Sequence, residues 1–178
     1  TIQIGAFALA LANFIIIVVG LFHRYRHLTQ ESQRWRRLAE SDPMTGLASR
    51  AAYREARDGT FDAAVRWRRA ATLLLIDLDG FKPINDTFGH AVGDALLAAV
   101  SERLRQVARN TDLVARLGGD EFALICLDID AQTDIGPLCE RLLAEIAALT
   151  TAEGRRYGVT GSIGAAVIPG PFAAADTW

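Results

Sequence analysis

The longest uncharged stretch in the chain, Ile2 to Phe22, limits the possible architecture more than any other feature. It reads IQIGAFALALANFIIIVVGLF, with Gln3 and Asn13 its only clearly polar side chains. Twenty-one residues of helix rise about 31 Å, close to the thickness of a bilayer's hydrocarbon core. A buried helix of a soluble protein is usually shorter and broken by polar residues. A cleaved signal peptide wants a basic cluster ahead of its apolar run, whereas here His23-Arg24-Tyr25-Arg26-His27 comes after it. The sequence therefore predicts a transmembrane helix over 1–22, with its C-terminal side cytoplasmic by the positive-inside rule and Tyr25 near the interface. Residues 23–41 then read as a basic juxtamembrane helical connector. Leu28, Trp35 and Leu38 fall at a and d spacing, but over barely two heptads, so a solvated helix fits as well as a paired one.

The chain has 178 residues, room for one ordinary domain beyond this leading segment. Its 51% apolar content excludes intrinsic disorder, because such a chain buries enough surface to offset its ordering entropy. Two cysteines, Cys126 and Cys139, do not make a disulfide framework and suit a reducing compartment. The net charge of −2 conceals an asymmetry: residues 1–37 carry five Arg and one Glu, while 38–178 carry 14 Lys and Arg against 20 Asp and Glu. A domain that acidic neutralises nucleic-acid phosphates poorly, so no nucleic-acid partner is expected, and any phosphate binding would go through metal ions.

From 42 onward, helical and strand patterns alternate. Ser41-Asp42-Pro43 offers an N-cap and a first-turn proline, predicting a helix of about 15 residues up to Gly59. Ala71–Ile76 is a short apolar run ending in Asp77, the pattern of a buried strand. Apolar residues at 92, 96, 100, 104 and 107 mark one helical face. Asp112–Leu117 and Phe122–Leu127 flank Gly118-Gly119 as two arms of a hairpin, although four residues between them exceed a two-residue turn. Leu138 to Leu149 predicts another helix, and Tyr157–Val167 a last strand, or two, weakened by Gly158, Gly161 and Gly164. The order is that of an α/β protein of the α+β sandwich type, with an antiparallel hairpin in the sheet.

Three segments carry the chemistry. Leu75-Ile76-Asp77-Leu78-Asp79-Gly80-Phe81-Lys82 puts a carboxylate where a buried strand stops and ligands enter. It is not an EF-hand loop, since Phe81 stands at the fifth position. Alone, Asp77 would be an ordinary strand-end residue. Gly118-Gly119-Asp120-Glu121-Phe122 adds two glycines that permit close approach to a phosphate, and two more carboxylates. If this hairpin lies beside the strand ending at Asp77, three carboxylates converge and repel, and a divalent cation would relieve that repulsion. Asn85-Asp86-Thr87-Phe88-Gly89-His90, followed by Gly93-Asp94, supplies an amide edge and an acceptor pair suited to guanine. Taken singly, Asn85 is a turn residue and Asp94 a helix-start residue; the cluster is what points to a nucleotide.

Together, Asp42-Pro43-Met44-Thr45-Gly46-Leu47, Asp77 through His90, Gly93-Asp94 and Arg116-Leu117-Gly118-Gly119-Asp120-Glu121-Phe122 resemble the diguanylate cyclase, or GGDEF-domain, family of bacterial signalling enzymes. The resemblance runs from about Asp42 to Ile168. It implies a fold similar to adenylyl cyclase and polymerase palm domains. It also implies condensation of two GTP into cyclic di-GMP and two pyrophosphates between two facing domains of a homodimer. In that family pattern Asp77, Asp120 and Glu121, with the Leu78 carbonyl, would hold Mg²⁺ or Mn²⁺, and Asp120 or Glu121 would help activate the 3′-hydroxyl. Asn85 and Asp94 would read guanine with His90 adjacent, and Phe81, Lys82 and Gly119 would touch GTP. Asp42 would pair with Arg116. Arg109-Asn110-Thr111-Asp112 matches the family's RxxD product-inhibition site, through Arg109 and Asp112.

The sequence departs from the family pattern in places. Ser49 stands where Asn is usual, Gly161 replaces an apolar residue, and after Ile168 the chain reads PGPFAAADTW. Relatives carry a closing helix and strand there, whose Lys and Arg help hold phosphates. The resemblance thus implies a 42–178 domain without that helix and strand, destabilised and weakly active or inactive as it stands. Localisation at the inner (cytoplasmic) membrane follows from the leading segment. The competing readings are a non-catalytic domain that binds GTP or cyclic di-GMP, a cyclase for another nucleotide, and an inert membrane anchor.

Overall fold

A computed structural model describes residues 40–129, 135–149, 156–168 and 174–177. The transmembrane helix expected over 1–22 lies outside the described residues, as does the connector apart from Glu40 and Ser41. Among the described residues no helix is long and apolar enough to cross a membrane.

The elements are α1 (Arg50–Trp67), β1 (Ala71–Asp79), α2 (Phe81–Phe88), α3 (His90–Val107), β2 (Leu113–Gly118), β3 (Glu121–Leu127), α4 (Ile135–Ala147) and β4 (Thr160–Ile168), followed by a short 3-10 turn, Ala175–Thr177. The four strands form one sheet in the order β2-β3-β1-β4, and every neighbouring pair is antiparallel. From β1 the chain passes through two helices to β2, and β3 returns between β2 and β1. From β3 it passes through α4 to β4, with β1 between them. This is the split βαβ arrangement repeated, a mixed α/β fold on an antiparallel sheet.

The central strand explains the two cores. In β1 successive side chains point to opposite faces. Leu74, Ile76 and Leu78 join Phe122, Leu124 and Cys126 in an aliphatic core that receives Leu96, Leu97, Val100 and Leu104 of α3 and Leu142 and Ile146 of α4. Ala71 and Leu73 face the other way, with Ala123 and Ile125, against Tyr53, Phe61 and Ala64 of α1. Burial, with the nearby Asp112 charge adding to it, pushes the Cys126 thiol up to about 12, so it behaves as a core side chain. The second core is smaller and stops short of the sheet's end: Leu75 is 45% exposed and Asp77 beyond it is exposed too.

The first helix differs from the sequence expectation. It starts at Arg50, not near Pro43, and runs through Gly59 to Trp67. Asp42 caps a tight turn instead, accepting from the Thr45 N–H at 2.9 Å and the Thr45 hydroxyl at 2.7 Å. The turn closes through Gly46 at φ 66, a conformation glycine adopts without strain. Ser49 is the true N-cap, accepting from the Ala52 N–H. Gly59 is tolerated because it is exposed and touches nothing a Cβ would displace.

The turn segment is stitched to the edge of β2. The Ala48 N–H donates to the Val114 carbonyl, and the Arg116 N–H donates to the Ala48 carbonyl. The outer edge of β2 is therefore covered. The four-residue gap at the hairpin also resolves differently. Gly118 pairs with Glu121, so only Gly119-Asp120 bridge the strands, and a register shift between Arg116 and Gly118 absorbs Leu117. Gly118 and Gly119 both hold positive φ, 134 and 55, which explains why glycines stand there.

Candidate functional site

Two stretches of backbone define the site. β3 runs antiparallel to β1, so Glu121 lies directly opposite Asp77. One step further, the Leu78 N–H donates to the Asp120 carbonyl at 3.3 Å, joining the Gly119-Asp120 turn to the end of β1. Asp77, Leu78, Asp120 and Glu121 are thereby brought to one corner of the sheet. Residue types sort themselves further there. Asp79 is engaged by β4: it accepts from Ser162 Oγ at 3.0 Å and from Thr160 Oγ1 at 3.4 Å. Among the described residues, no hydrogen bond or ion pair engages the carboxylates of Asp77 or Asp120. A cavity of about 360 Å³ opens alongside, bordered by Leu75, Asp77, Glu121, Ser162 and Gly164.

The expected convergence of three carboxylates is only partly met. Among the described residues no group of three His, Cys, Asp or Glu side chains lies close enough to hold an ion by itself. Glu121 is drawn elsewhere: its Oε2 lies 3.3 Å from Arg50 Nη2. What remains free is two carboxylates, with the Leu78 carbonyl beside them in the chain. That all-oxygen donor set fits a hard cation such as Mg²⁺, which takes one or two carboxylates and fills its shell with water and phosphate oxygens.

The α2–α3 corner carries the second set of candidates. Gly80, at φ 86, caps α2, so Phe81 and Lys82 stand at its first turn. The Phe81 ring is buried in the main core, while Lys82 is exposed. The short helix over 81–88 was not evident in the sequence, where Asn85 reads as a turn residue. Asn85 is half-buried, and its side chain occupies the space over Gly93: a Cβ there would sit 1.9 Å from Asn85 Oδ1. Gly93 is thus the residue that lets α2 and α3 close, and Asp94 follows it on α3. His90, the first residue of α3, is exposed beside them.

The hairpin turn is held by arginines. Arg116 is 8% exposed and reaches two ways. Its Nε and Nη2 donate to the Gly119 carbonyl at 3.1 and 2.8 Å, and its Nη1 lies 3.3 Å from Asp42 Oδ1. Partial burial pushes the Asp42 carboxyl up, but the Thr45 donors and the Arg116 guanidinium outweigh it and leave it below the ordinary carboxylate range. Arg50 also donates through Nε to the Leu117 carbonyl. No local sequence pattern joins Arg50 to Glu121, its partner 71 residues away.

Arg109 and Asp112 sit in the loop between α3 and β2. The Arg109 N–H donates to Asp112 Oδ2 at 2.8 Å, while Asp112 Oδ1 is buried without a hydrogen-bond partner. A cavity of about 270 Å³ on one side is lined by Arg109, Asp112, Leu138 and Arg141. A second, of about 320 Å³, lies between them and Leu47, Ala48 and Arg105. Arg141 is a second guanidinium at this place that the sequence did not single out.

Gly161, the apolar position lost in β4, packs under α4: a Cβ there would lie 3.4 Å from Leu143 and Ile146 and from the Asp77 carbonyl, at the near limit of ordinary contact.

Residues 39–177 match the family described as "Diguanylate cyclase, GGDEF domain". The bifunctional diguanylate cyclase/cyclic di-GMP phosphodiesterase MucR of Pseudomonas aeruginosa is 36% identical over 159 residues, 89% of this chain and 22% of MucR. The diguanylate cyclase DgcN of Escherichia coli is 35% identical over 139 residues, 70% of this chain and 34% of DgcN. This chain therefore spans about a third or less of the length of these relatives. Among solved structures, the coiled coil and GGDEF domain of DgcB from Caulobacter crescentus, in complex with c-di-GMP, superposes with a TM-score of 0.76 at 26% identity, covering 89% of this chain and 84% of that one. The GGDEF domain of TpbB from Pseudomonas aeruginosa gives 0.70 at 33% identity, covering 75% and 83%.

Proposed function

The chain belongs to the diguanylate cyclase GGDEF-domain family, and from that premise we propose that it condenses two GTP into cyclic di-GMP and two pyrophosphates. The observation that carries the reading is the corner where the Leu78 N–H meets the Asp120 carbonyl. It brings Asp77 and Asp120, whose carboxylates no described residue engages, to one corner of the sheet next to the glycine turn. Mg²⁺ or Mn²⁺ bound there would supply charge neutralisation to the triphosphate. Lys82 and the first N–H groups of α2 would meet phosphate oxygens, since they stand at the exposed first turn of that helix. Asn85 and Asp94 would read guanine, one through its amide edge and one by accepting N–H donors. Glu121, or Asp120 itself, would take the 3′-hydroxyl proton. Each domain offers one such site, so two domains must face each other for the second phosphodiester to close. The uncharged run at 2–22 would hold the domain at the cytoplasmic face of a membrane, which raises the local concentration of a twin. Cyclic di-GMP would return as an inhibitor to Arg109 and Asp112, with Arg141 as a further phosphate or guanine contact.

The test is turnover by the full-length protein with GTP and Mg²⁺ or Mn²⁺, followed by separation of nucleotide products. Cyclic di-GMP should form, and Asp77→Ala should abolish it without unfolding the protein. GTP binding with no product under either metal would refute the cyclase reading and favour a binding domain.

A further inference from the structure

We propose that Arg50 is a positioning residue of this site: it staples the mouth of the signature hairpin, fixing the turn that presents Asp120 and orienting Glu121. The proposal rests on the cyclase reading for its consequence, but not for its geometry. Arg50 is the first residue of α1, placed by the Ser49 cap. Its guanidinium donates to the Leu117 carbonyl on β2 and pairs with Glu121 on β3. These two partners flank Gly118-Gly119-Asp120, so one planar fork spans the opening of the turn that presents Asp120. A Cβ on Gly118 would lie 3.6 Å from Arg50 Nη2, so the fork lies close against the turn.

The electrostatics give the staple a purpose. Glu121 stands directly opposite Asp77 across the antiparallel ladder, where like charges repel. A guanidinium on Glu121 removes that repulsion without consuming Asp77. Arg116 holds the same turn through the Gly119 carbonyl, so the hairpin is fixed at two carbonyls by two arginines. Arg116 is buried, whereas Arg50 and Glu121 are each more than half exposed. Removal of Arg50 should therefore alter the turn more than the fold.

The experiment uses the full-length protein as wild type, Arg50→Ala, Arg50→Lys, Glu121→Gln and the Arg50→Ala/Glu121→Gln double variant. Steady-state kinetics should show kcat lowered about 10- to 100-fold in Arg50→Ala, the usual cost of losing a residue that orients a metal site, with KM for GTP little changed. Arg50→Lys should recover part of the loss, since an ammonium keeps the charge but cannot bridge both partners. The double variant should lose less than the product of the two single losses. Amide hydrogen exchange at 118–121 should quicken in Arg50→Ala while the core strands stay protected. Multiplying losses, or wild-type kcat with unchanged exchange, would overturn the proposal. Quickened exchange in a protein whose wild type makes no cyclic di-GMP would leave the staple standing and remove the cyclase reading alone.

Discussion

Two arginine–aspartate pairs sit at the two ends of β2, and they are built in opposite ways. At one end Arg116 and Asp42 face each other with side chains only 8% and 20% exposed. Asp42 is further satisfied by Thr45, and Arg116 by the Gly119 carbonyl. At the other end Arg109 is exposed, and its guanidinium makes no hydrogen bond or ion pair among the described residues. Asp112 spends one oxygen on the Arg109 N–H and leaves the other buried and unpaired. A buried oxygen without a donor costs about 1–3 kcal/mol, so this pair contributes less to stability than the closed one. The closed pair holds the hairpin in place. The open pair lies between two cavities, with one guanidinium and one carboxylate oxygen unengaged among the described residues.

Breaking the closed pair should have the larger effect on stability. Arg116→Ala strands the Asp42 carboxylate and frees the Gly119 carbonyl, and should cost about 3 kcal/mol, read as a fall in the urea midpoint. Cyclic di-GMP formation should fall with it, because the turn carrying Asp120 loses its buried support. A midpoint within error of wild type would show that the pair is dispensable.

Asp42→Asn tests the same pair by charge alone and should cost less, about 2 kcal/mol at pH 7. Its pH dependence has a definite sign. The Asp42 carboxyl is held below its ordinary value when folded, so its stabilisation is complete above about pH 4 and fades as pH falls through the lowered value. The gap between wild type and Asp42→Asn should therefore be constant from neutral pH to about pH 5 and close below pH 4. Urea midpoints across that range measure it, and a gap that widens in acid would refute the assignment.

These pairs also show what a sequence can and cannot disclose. The order of elements was legible because β1 is a nearly unbroken apolar run and α3 repeats its apolar residues at helical spacing. The family was legible because several motifs recur in one order. The start of α1 was not: Asp42-Pro43 looks like a helix start, and only the Gly46 turn and the bonds of Ala48 to β2 reveal that the segment is an edge cover. The short α2 was hidden because Asn85, Asp86 and Thr87 disfavour helix by local propensity, and tertiary packing of Phe81 and Ile84 overrides that. Arg50 and Arg141 went unseen for a common reason. Each bonds to groups far along the chain, and no spacing rule connects Arg50 to Glu121 or Arg141 to the Val107 carbonyl.

The open pair gives the smallest effect on stability and the sharpest contrast. Arg109→Ala removes a guanidinium that no described residue engages, so unfolding free energy should stay within about 0.5 kcal/mol of wild type. If the pair waits for cyclic di-GMP, inhibition by added product should weaken about tenfold or more, since one charge-assisted contact is worth at least that. kcat measured at low product should not change. The comparison with Arg116 then separates along two axes: one arginine moves the urea midpoint, the other moves the inhibition constant. Should Arg109→Ala destabilise the protein as Arg116→Ala does, the unpaired Asp112 oxygen would have to be explained as strain within the fold. The distinction between a closed and an open pair would then fail.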